Sequence, residues 1–263
     1  MTIKYFSMFS GIGGFEVGMN NSKYKDELEC VGFSEVNESA ISIYSRHFPT
    51  HRNYGDATRI NAEELEDFKL LVGGFPCQSF SNVGKRKGFN DCRGTLFFEI
   101  ARVLAVKQPQ YFLLENVKGL LSNNYGRTFK RILAIFNELG YDVSWQTYNS
   151  CHYGVPQHRE RIYLKGYFRA KCGCEIFDVR ETVAKSEKGA DELKQRVELS
   201  DDFIIRKLTP VECERLQGFE DDYTKYGKDD EIISDFQRYK LLGNAVTTNV
   251  VEHIFNNWNL KEE

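Results

Sequence analysis

The chain has no hydrophobic run long enough to cross a membrane, no excess of basic charge and no regular cysteine framework. Its apolar runs fall well short of the roughly 18 residues of a transmembrane helix. The net charge of −3 over 263 residues excludes a broadly basic surface, although a local basic patch can still bind a nucleic acid. Seven scattered cysteines are typical of a reducing compartment rather than of a disulfide-stabilised secreted protein.

Other absences narrow the class further. The N-terminus enters a strand-like pattern directly, so we expect no signal peptide. Cys172 and Cys174 lack the two-residue spacer and the second pair of a zinc site, so we expect no metal there. There is no internal repeat and no low-complexity tract. The length allows one large domain, or a large domain with a small one.

The first two-thirds of the chain alternate short apolar runs with amphipathic stretches, which predicts an α/β fold with a mainly parallel sheet. Predicted strands cover 3–8, 30–35, 68–73, 111–115, 142–148 and 161–167, and predicted helices cover 14–20, 38–47, 94–106 and 127–139. The segment 167–206 is polar and mixed in charge. Thr209 and Pro210 predict a capped helix start, and 246–258 predicts a final amphipathic helix.

Cys77 is the residue whose position most clearly favours a role in catalysis. It follows Pro76 just after the apolar run 70–74, which predicts a short buried strand. The C-terminal tips of strands in α/β sheets are where ligands and reactive groups are usually placed. A lone cysteine is more often a packing residue than a nucleophile, so its role depends on the other motifs.

A glycine-rich loop, 9–14, joins the first predicted strand to a helix and allows a ligand to approach the backbone closely. Glu16 stands where a dinucleotide-binding loop has its third glycine, which favours a nucleoside-like ligand without phosphates. Glu35 follows the second strand, where a carboxylate accepts hydrogen bonds from ribose hydroxyls. Asp56 is suited to the exocyclic amine of adenine. Together these residues predict a pocket for an adenosine group.

Glu115 ends another predicted buried strand, where burial raises the pKa of a carboxyl group and favours its protonated form. A helix cap or a salt bridge is the alternative role. Arg159 and Arg161 lie on one side of an extended segment. Such a pair suits orientation of Glu115, a grip on a phosphate, or a surface ion pair.

These motifs resemble, in order and character, those of the cytosine-5 DNA methyltransferases, most of all the bacterial restriction–modification type. The similarity rests on 9–14, 73–81, 115–117, 157–161, 208–218 and 243–246, with a similar loop at 83–98. The resemblance implies a Rossmann-like S-adenosylmethionine-dependent methyltransferase fold, a mainly parallel sheet with helices on both faces, and a small, reduced second domain. Residues 1–166 with 244–263 would form the catalytic and cofactor-binding domain, and 167–243 a shortened target-recognition region.

The resemblance also implies a mechanism, because carbon 5 of cytosine is too weak a nucleophile to take a methyl group directly. Cys77 would attack carbon 6 as a thiolate, and Glu115 would hydrogen-bond or protonate ring nitrogen 3. Arg161 would hold the base and Glu115, with Arg159 supporting the same network. The base must leave the duplex to reach these groups.

S-adenosyl-L-methionine is the implied cofactor, with S-adenosyl-L-homocysteine as product and no metal. The implied cofactor pocket contains Phe9, Gly11, Ile12, Gly14, Glu35, Val36, Asp56, Ala57, Pro76, Leu96, Asn244 and Val246. Asn244 and Val246 imply that the C-terminal helix returns to pack on the N-terminal part. The expected DNA contacts are Ser79, Ser81, Lys85, Arg86, Lys87 and Arg93. Of these, the basic residues are expected on a mobile loop that closes over the DNA, with Gly84 and Gly88 on either side of 85–87 to permit the motion.

The chain departs from the bacterial type in the segment 167–206, where relatives carry a much longer variable region that forms the target-recognition domain. Sequence readout requires side chains that reach base edges. The chain therefore reads a very short site, needs a partner, has lost specificity, or is an internally shortened form. The expected partner is double-stranded DNA, and we expect no binding to a membrane. The protein is expected to be a monomer, and a partner subunit or a cognate restriction endonuclease is a further possible partner. The expected location is the cytoplasm of a bacterium or a phage-infected cell, at the nucleoid.

Three other functions compete with this interpretation. The same chemistry on tRNA is the nearest, but the Cys-Phe-Thr element of that branch is missing from 167–206. A catalytically silent DNA-binding or regulatory protein need not keep Cys77, Glu115 and Arg161. A nicotinamide oxidoreductase is disfavoured by Glu16 in the glycine loop.

Overall fold

The computed structural model describes residues 2–75, 96–171 and 206–260. Its strands are β1 (Ile3–Met8), β2 (Leu28–Ser34), β3 (Leu70–Gly74), β4 (Tyr111–Val117), β5 (Tyr141–Asn149) and β6 (Glu160–Phe168). They form a six-stranded sheet in the order β2-β1-β3-β4-β6-β5. Strands β1 to β4 are parallel, whereas β6 is antiparallel to both β4 and β5. The predicted mainly parallel sheet is confirmed, and each predicted strand is present within a few residues of its expected bounds.

The α-helices are α1 (Gly14–Asn20), α2 (Glu38–His47), α3 (Leu96–Lys107), α4 (Arg127–Glu138), α5 (Pro210–Leu216), α6 (Asp235–Asn244) and α7 (Thr248–Asn256). Short 3-10 helices cover Ala57–Arg59, Ala62–Glu64, Lys118–Leu121, Ser150–His152 and Lys228–Asp230. The predicted start of α5 is confirmed: Thr209 and Glu212 form a reciprocal capping box, with Pro210 first in the helix. Helix α6 has no counterpart among the helices predicted from the sequence.

Helices cover both faces of the sheet because the central strands are apolar on both sides. On β1, Phe6 and Met8 face the core that includes Phe97 of α3 and Phe136 of α4. Their neighbours on the strand face the opposite core, which joins Ile3 and Tyr5 to α1 and α7. This arrangement confirms the predicted sheet with helices on both faces.

Helix α7 returns from the C-terminal part of the chain to pack directly on α1. A Cβ atom at Gly18 would lie 2.6 Å from both the backbone oxygen of Thr248 and the Cβ of Val251. Because glycine lacks that atom, the two helix backbones can approach closely. The return of the last helix, expected from Asn244 and Val246, is therefore present.

The segment that contains α5 and α6 is held together by a buried ion pair and packs on the N-terminal part. Arg238 of α6 donates from Nη2 to Oε1 of Glu214 on α5 at 3.0 Å, with both side chains almost fully buried. Leu241 and Leu242 share a core with Ile12 and Ile43. The expected boundary of a separate recognition region at 167–243 stays a prediction, because 172–205 lie outside the described residues.

Candidate active site

A cavity of about 360 Å3 lies at the C-terminal ends of β1, β3 and β4. The strand order reverses between β1 and β3, and in open α/β sheets ligands bind at such a switch point. The cavity brings together these predicted site residues: Phe9, Gly11, Ile12, Gly14, Glu35, Glu115, Arg159, Arg161, Asn244 and Val246. Residues from the first and the last parts of the chain therefore line the same space.

The glycine-rich loop forms one wall of the cavity. Phe9, Gly11 and Gly13 have φ angles of 55°, 57° and 89°, a left-handed backbone that favours glycine. A Cβ atom at Gly11 would meet no protein atom within 4 Å, so glycine keeps this part of the wall open. The Tyr223 hydroxyl donates to the carbonyl oxygen of Ile12 at 2.8 Å and thus helps to hold the loop in place.

Glu35 lies at the end of β2, and its carboxylate is held by backbone amides. The amide of Gly11 donates to Oε2 at 2.9 Å, and the amides of Val36 and Asn37 donate to Oε1 at 2.8 Å each. These bonds fix the carboxylate at the cavity wall and join the glycine loop to the N-terminus of α2. Carboxylate oxygens have further acceptor capacity, which suits the hydroxyls of a ribose.

Glu115, which is buried near the end of β4, pairs with the partly exposed Arg161. The distance from Arg161 Nε to Glu115 Oε1 is 3.0 Å. Burial raises the pKa of the Glu115 carboxyl to about 7, against the opposing effect of Arg161 and Arg159. A glutamate with this pKa carries a proton in much of the population at neutral pH, so it can donate a hydrogen bond as well as accept one.

Arg159 has a different set of partners from the one expected. Its Nη2 donates to the carbonyl oxygens of Gly243 and Ala245, at 3.0 and 2.8 Å. These two residues flank Asn244, which lines the cavity. Arg159 therefore clamps the segment after α6 to the strand that carries Arg161, and its influence on Glu115 is electrostatic.

Asn116 holds the end of β3 beside Glu115. Its Nδ2 donates to the carbonyl oxygen of Phe75 at 2.8 Å, and its side chain is buried. In the sheet Gly74 pairs with Glu115, and a Cβ at Gly74 would lie 3.2 Å from Glu115 Oε2. Glycine at this position leaves room for the carboxyl group just before the chain enters Pro76 and Cys77.

Four predicted cofactor residues do not line this cavity. Val36 is 64% exposed, and Leu96 is the first residue of α3. Asp56 accepts hydrogen bonds from the amide and hydroxyl of Thr58, and Ala57 is buried beneath it. The predicted residues that lie outside the described part of the chain are Pro76, Cys77, Ser79, Ser81, Lys85, Arg86, Lys87 and Arg93.

Several cavity residues were not found from the sequence. Asn37 caps α2, and this signal was available because Asn precedes the predicted helix 38–47 directly. Asn116 lies inside the Glu-Asn-Val motif but has no charge to draw attention. Lys240 lines the cavity from α6, the helix that was not predicted. Tyr223, which bonds to the glycine loop from outside the cavity lining, is distant from that loop in sequence.

The cavity suits an adenosine-containing cofactor. It has a carboxylate at the end of β2, an open glycine wall, and the buried Ser10 hydroxyl, which has no hydrogen-bond partner among the described residues. Glu16 is absent from its lining; burial of its carboxyl raises the pKa of Glu16. Within 2–75, 96–171 and 206–260, no cluster of three or more His, Cys, Asp and Glu side chains is placed to hold a metal ion.

The sheet order and the position of the cavity are those of the S-adenosylmethionine-dependent methyltransferase fold. Comparison with known proteins identifies the family. The chain belongs to the family of C-5 cytosine-specific DNA methylases, whose sequence profile matches residues 3–172 and 168–259. In the described part of the chain, no helix has the length and apolarity that a membrane span requires.

Bacterial relatives show how much of a longer protein this chain matches. It is 43% identical to the Type II methyltransferase M.NgoBV of Neisseria gonorrhoeae over 64% of this chain, which is 42% of that protein. Against M1.ScrFI of Lactococcus lactis subsp. cremoris the identity is 33% over 95% of this chain and 76% of the relative. The chain thus matches less than half the length of M.NgoBV.

Solved structures support the fold. The crystal structure of the S. pombe Dnmt2 methyltransferase superposes with a TM-score of 0.72 at 18% identity, covering 97% of this chain and 98% of that one. The Entamoeba histolytica methyltransferase EhMeth superposes with a TM-score of 0.67 at 19% identity, covering 97% of both chains. At this level of identity the likeness establishes the architecture.

Proposed function

We propose that the protein transfers a methyl group from S-adenosylmethionine to carbon 5 of cytosine in DNA, through a covalent adduct with Cys77. The observation that carries the proposal is the pair formed by buried Glu115 and Arg161, in which the pKa of Glu115 is about 7. It lies beside the end of the strand that leads into Cys77. Membership in the C-5 cytosine-specific DNA methylases supports the same reaction.

In this reaction Cys77 and Glu115 activate the base together. The Cys77 thiolate forms a bond to carbon 6, while protonated Glu115 donates a hydrogen bond or its proton to ring nitrogen 3. The electron pair of the 5,6 double bond then becomes available at carbon 5 for the new carbon–carbon bond. The methyl group would leave the sulfonium sulfur, which becomes the neutral thioether of S-adenosylhomocysteine. A base such as water then takes the carbon 5 proton, the carbon 6–sulfur bond breaks to release the Cys77 thiolate, and ring nitrogen 3 returns any proton it received to Glu115, which restores the aromatic ring.

The residues around the cavity divide the remaining tasks. Arg161 holds the Glu115 carboxyl in place and keeps the base pocket polar. Glu35 would accept from ribose hydroxyls, and Phe9, Gly11, Ile12, Gly14, Asn244 and Val246 would enclose the cofactor. S-adenosylmethionine supplies an electrophilic methyl group when bound. The pocket needs a flipped-out base, because a base stacked in a duplex cannot reach a buried carboxyl group.

The main test is methyl transfer by the wild-type protein and by Cys77→Ser. Each is incubated with labelled S-adenosylmethionine and either duplex DNA or tRNA, and methylated positions are mapped by bisulfite sequencing. We expect transfer to DNA by the wild type, and a loss of at least about a thousandfold in Cys77→Ser, because nucleophile removal eliminates the covalent route. Cys151→Ser is the matched control, since Cys151 is an exposed free cysteine.

Other outcomes would change the proposal in defined ways. Transfer to DNA that survives Cys77→Ser would rule out the covalent mechanism. Transfer to tRNA alone would make RNA the substrate. Binding of DNA without transfer, even with a second polypeptide added, would favour a catalytically silent protein, whereas transfer restored by that polypeptide would identify a missing recognition module.

The partner and the setting are part of the same proposal. Double-stranded DNA is the proposed substrate, bound through the loop that includes Lys85, Arg86, Lys87 and Arg93, and the cytoplasm of a bacterium or phage-infected cell is the proposed location. The names of the relatives support a restriction–modification setting, since M.NgoBV and M1.ScrFI are Type II methyltransferases of bacteria. The short segment 167–206 remains the proposed recognition region.

A further inference from the structure

Lys240 is a charged residue of the cavity that the proposed reaction does not use. It projects from α6, is exposed, and lines the cavity together with Leu241, Gly243 and Asn244. Its ammonium group has no hydrogen-bond or ion-pair partner among the residues that the structure describes. A free cation on a ligand cavity is a candidate for binding an anionic group of the ligand.

The other charged side chains of the cavity are already engaged. Glu35 accepts from backbone amides, Glu115 is paired with Arg161, and Arg159 donates to two carbonyl oxygens. Each of these groups is fixed by protein contacts. Among the described charged residues that line the cavity, Lys240 differs in that its ammonium group makes no such protein contact, so it can bind a ligand without the loss of one.

The position of Lys240 relates it to the cofactor end of the cavity. It lies four residues before Asn244 on α6, so the two side chains share one face of the helix. Its neighbour Leu241 packs in one cluster with Ile12 of the glycine loop. Lys240 and Gly11 line the same cavity, and a Cβ atom at Gly11 would meet no protein atom within 4 Å.

We propose that the Lys240 ammonium group binds the carboxylate of the amino-acid end of S-adenosylmethionine. This inference rests on the proposed function, because it needs that cofactor in the cavity. With Glu35 at the neutral ribose hydroxyls, the anionic group that this ligand presents is its carboxylate. Lys240 would act in binding and orientation, and it would take no part in the transfer of the methyl group.

The test compares two ligands that differ in that carboxylate. Binding of S-adenosylmethionine and of decarboxylated S-adenosylmethionine is measured by isothermal titration calorimetry without DNA, for wild type, Lys240→Met and Lys240→Arg. We expect Lys240→Met to weaken the binding of S-adenosylmethionine about tenfold and to leave the decarboxylated ligand within about twofold, as for one charge-assisted hydrogen bond. Lys240→Arg should restore most of the affinity. Lys130→Met, at an exposed lysine of α4, is the matched control.

Each result separates this inference from the proposed function. Equal weakening of both ligands, or of neither, would overturn the role of Lys240 while leaving the cofactor in place. Unchanged S-adenosylmethionine binding with weaker binding of duplex DNA would overturn it in favour of a phosphate contact. A wild-type protein that bound neither ligand would overturn the proposed cofactor, and the role of Lys240 with it.

Discussion

At the residue scale, the chemistry of the site depends on how burial and charge compete at Glu115. Desolvation favours the neutral carboxyl, while Arg161 and Arg159 favour the charged form, and burial has the larger effect. A fully solvated glutamate titrates near 4.3 and would be charged at neutral pH. In the proposed mechanism, this proton is the one that Glu115 would offer to ring nitrogen 3 of the cytosine.

This proton makes folding stability depend on pH. The pKa of Glu115 is raised to about 7 in the folded protein. Its contribution to the free energy of unfolding is therefore fully present at a pH below the pKa of glutamate in the unfolded chain, and it is lost as the pH rises through about 7. Glu115→Gln should remove this dependence, worth at most about 3 kcal/mol. Melting temperatures at pH 5, 6, 7 and 8 should therefore favour the variant progressively as pH rises.

The matched control for this pH series is Glu63→Gln, at an exposed glutamate of a short 3-10 helix. Its melting temperature should follow that of the wild type across the series. If the melting temperatures of wild type and Glu115→Gln changed in parallel with pH, Glu115 would not take up a proton between pH 5 and pH 8.

At the element scale, two arginines at the start of β6 connect different parts of the site. Arg161 reaches across the sheet to Glu115 on β4, whereas Arg159 reaches the turn between α6 and α7. The short Arg-Glu-Arg segment therefore couples the proposed base pocket to the proposed cofactor pocket. Burial lowers the pKa of Arg159, and the charge of Arg161 adds to this.

Substitution of each arginine should affect a different one of the two proposed pockets. Arg159→Met frees the carbonyl oxygens of Gly243 and Ala245, so Asn244 loses its fixed position. We expect binding of S-adenosylhomocysteine to weaken about tenfold, as for the loss of one hydrogen bond to a charged group. Arg161→Met should leave this affinity within about twofold and should instead lower the rate of methyl transfer.

Calorimetric titration and steady-state kinetics on the same preparations check this contrast. A circular dichroism melt establishes that both variants are folded. If Arg159→Met and Arg161→Met changed affinity and rate in the same proportion, the two arginines would act on one pocket, as the sequence analysis had expected.

At the scale of the whole molecule, the two ends of the chain form one core. Helix α7 packs on α1, and both cover the same face of β1, β3 and β4. Val246 also contacts the glycine loop, since a Cβ at Gly14 would lie 2.8 Å from its Cγ2 atom. The cavity is complete only when the C-terminal segment is docked.

The substitution Gly18→Ala tests the packing of α7 on α1. Alanine normally stabilises a helix interior relative to glycine by up to about 1 kcal/mol, but here its methyl group would overlap α7. We expect a net loss of about 1–3 kcal/mol in the free energy of unfolding, as for other overpacked sites, measured by urea denaturation. Gly119→Ala is the matched control, because its nearest neighbour would be 4.0 Å away. A stability equal to or above wild type for Gly18→Ala would mean that α7 shifts without cost.

Much of this architecture could be predicted from the sequence, because periodicity and motif order are local properties. The strands, α1, α2 and the capped start of α5 follow from patterns within a few residues of each element. Helix α6 was missed because its apolar positions are few and Phe236 and Tyr239 are exposed. Its residue Lys240 was missed for the same reason.

The sequence by itself determined the types of chemical group and their order along the chain: a glycine loop, a proline–cysteine pair, a glutamate at a strand end and two arginines. Only the tertiary structure decided their pairing, because partners distant in sequence meet through strand order and helix packing. It directed Arg159 to the turn after α6, and it buried Glu115 deeply enough to raise its pKa. Asp56 and Val36 are absent from the cavity lining, so their contacts with the cofactor stay predictions.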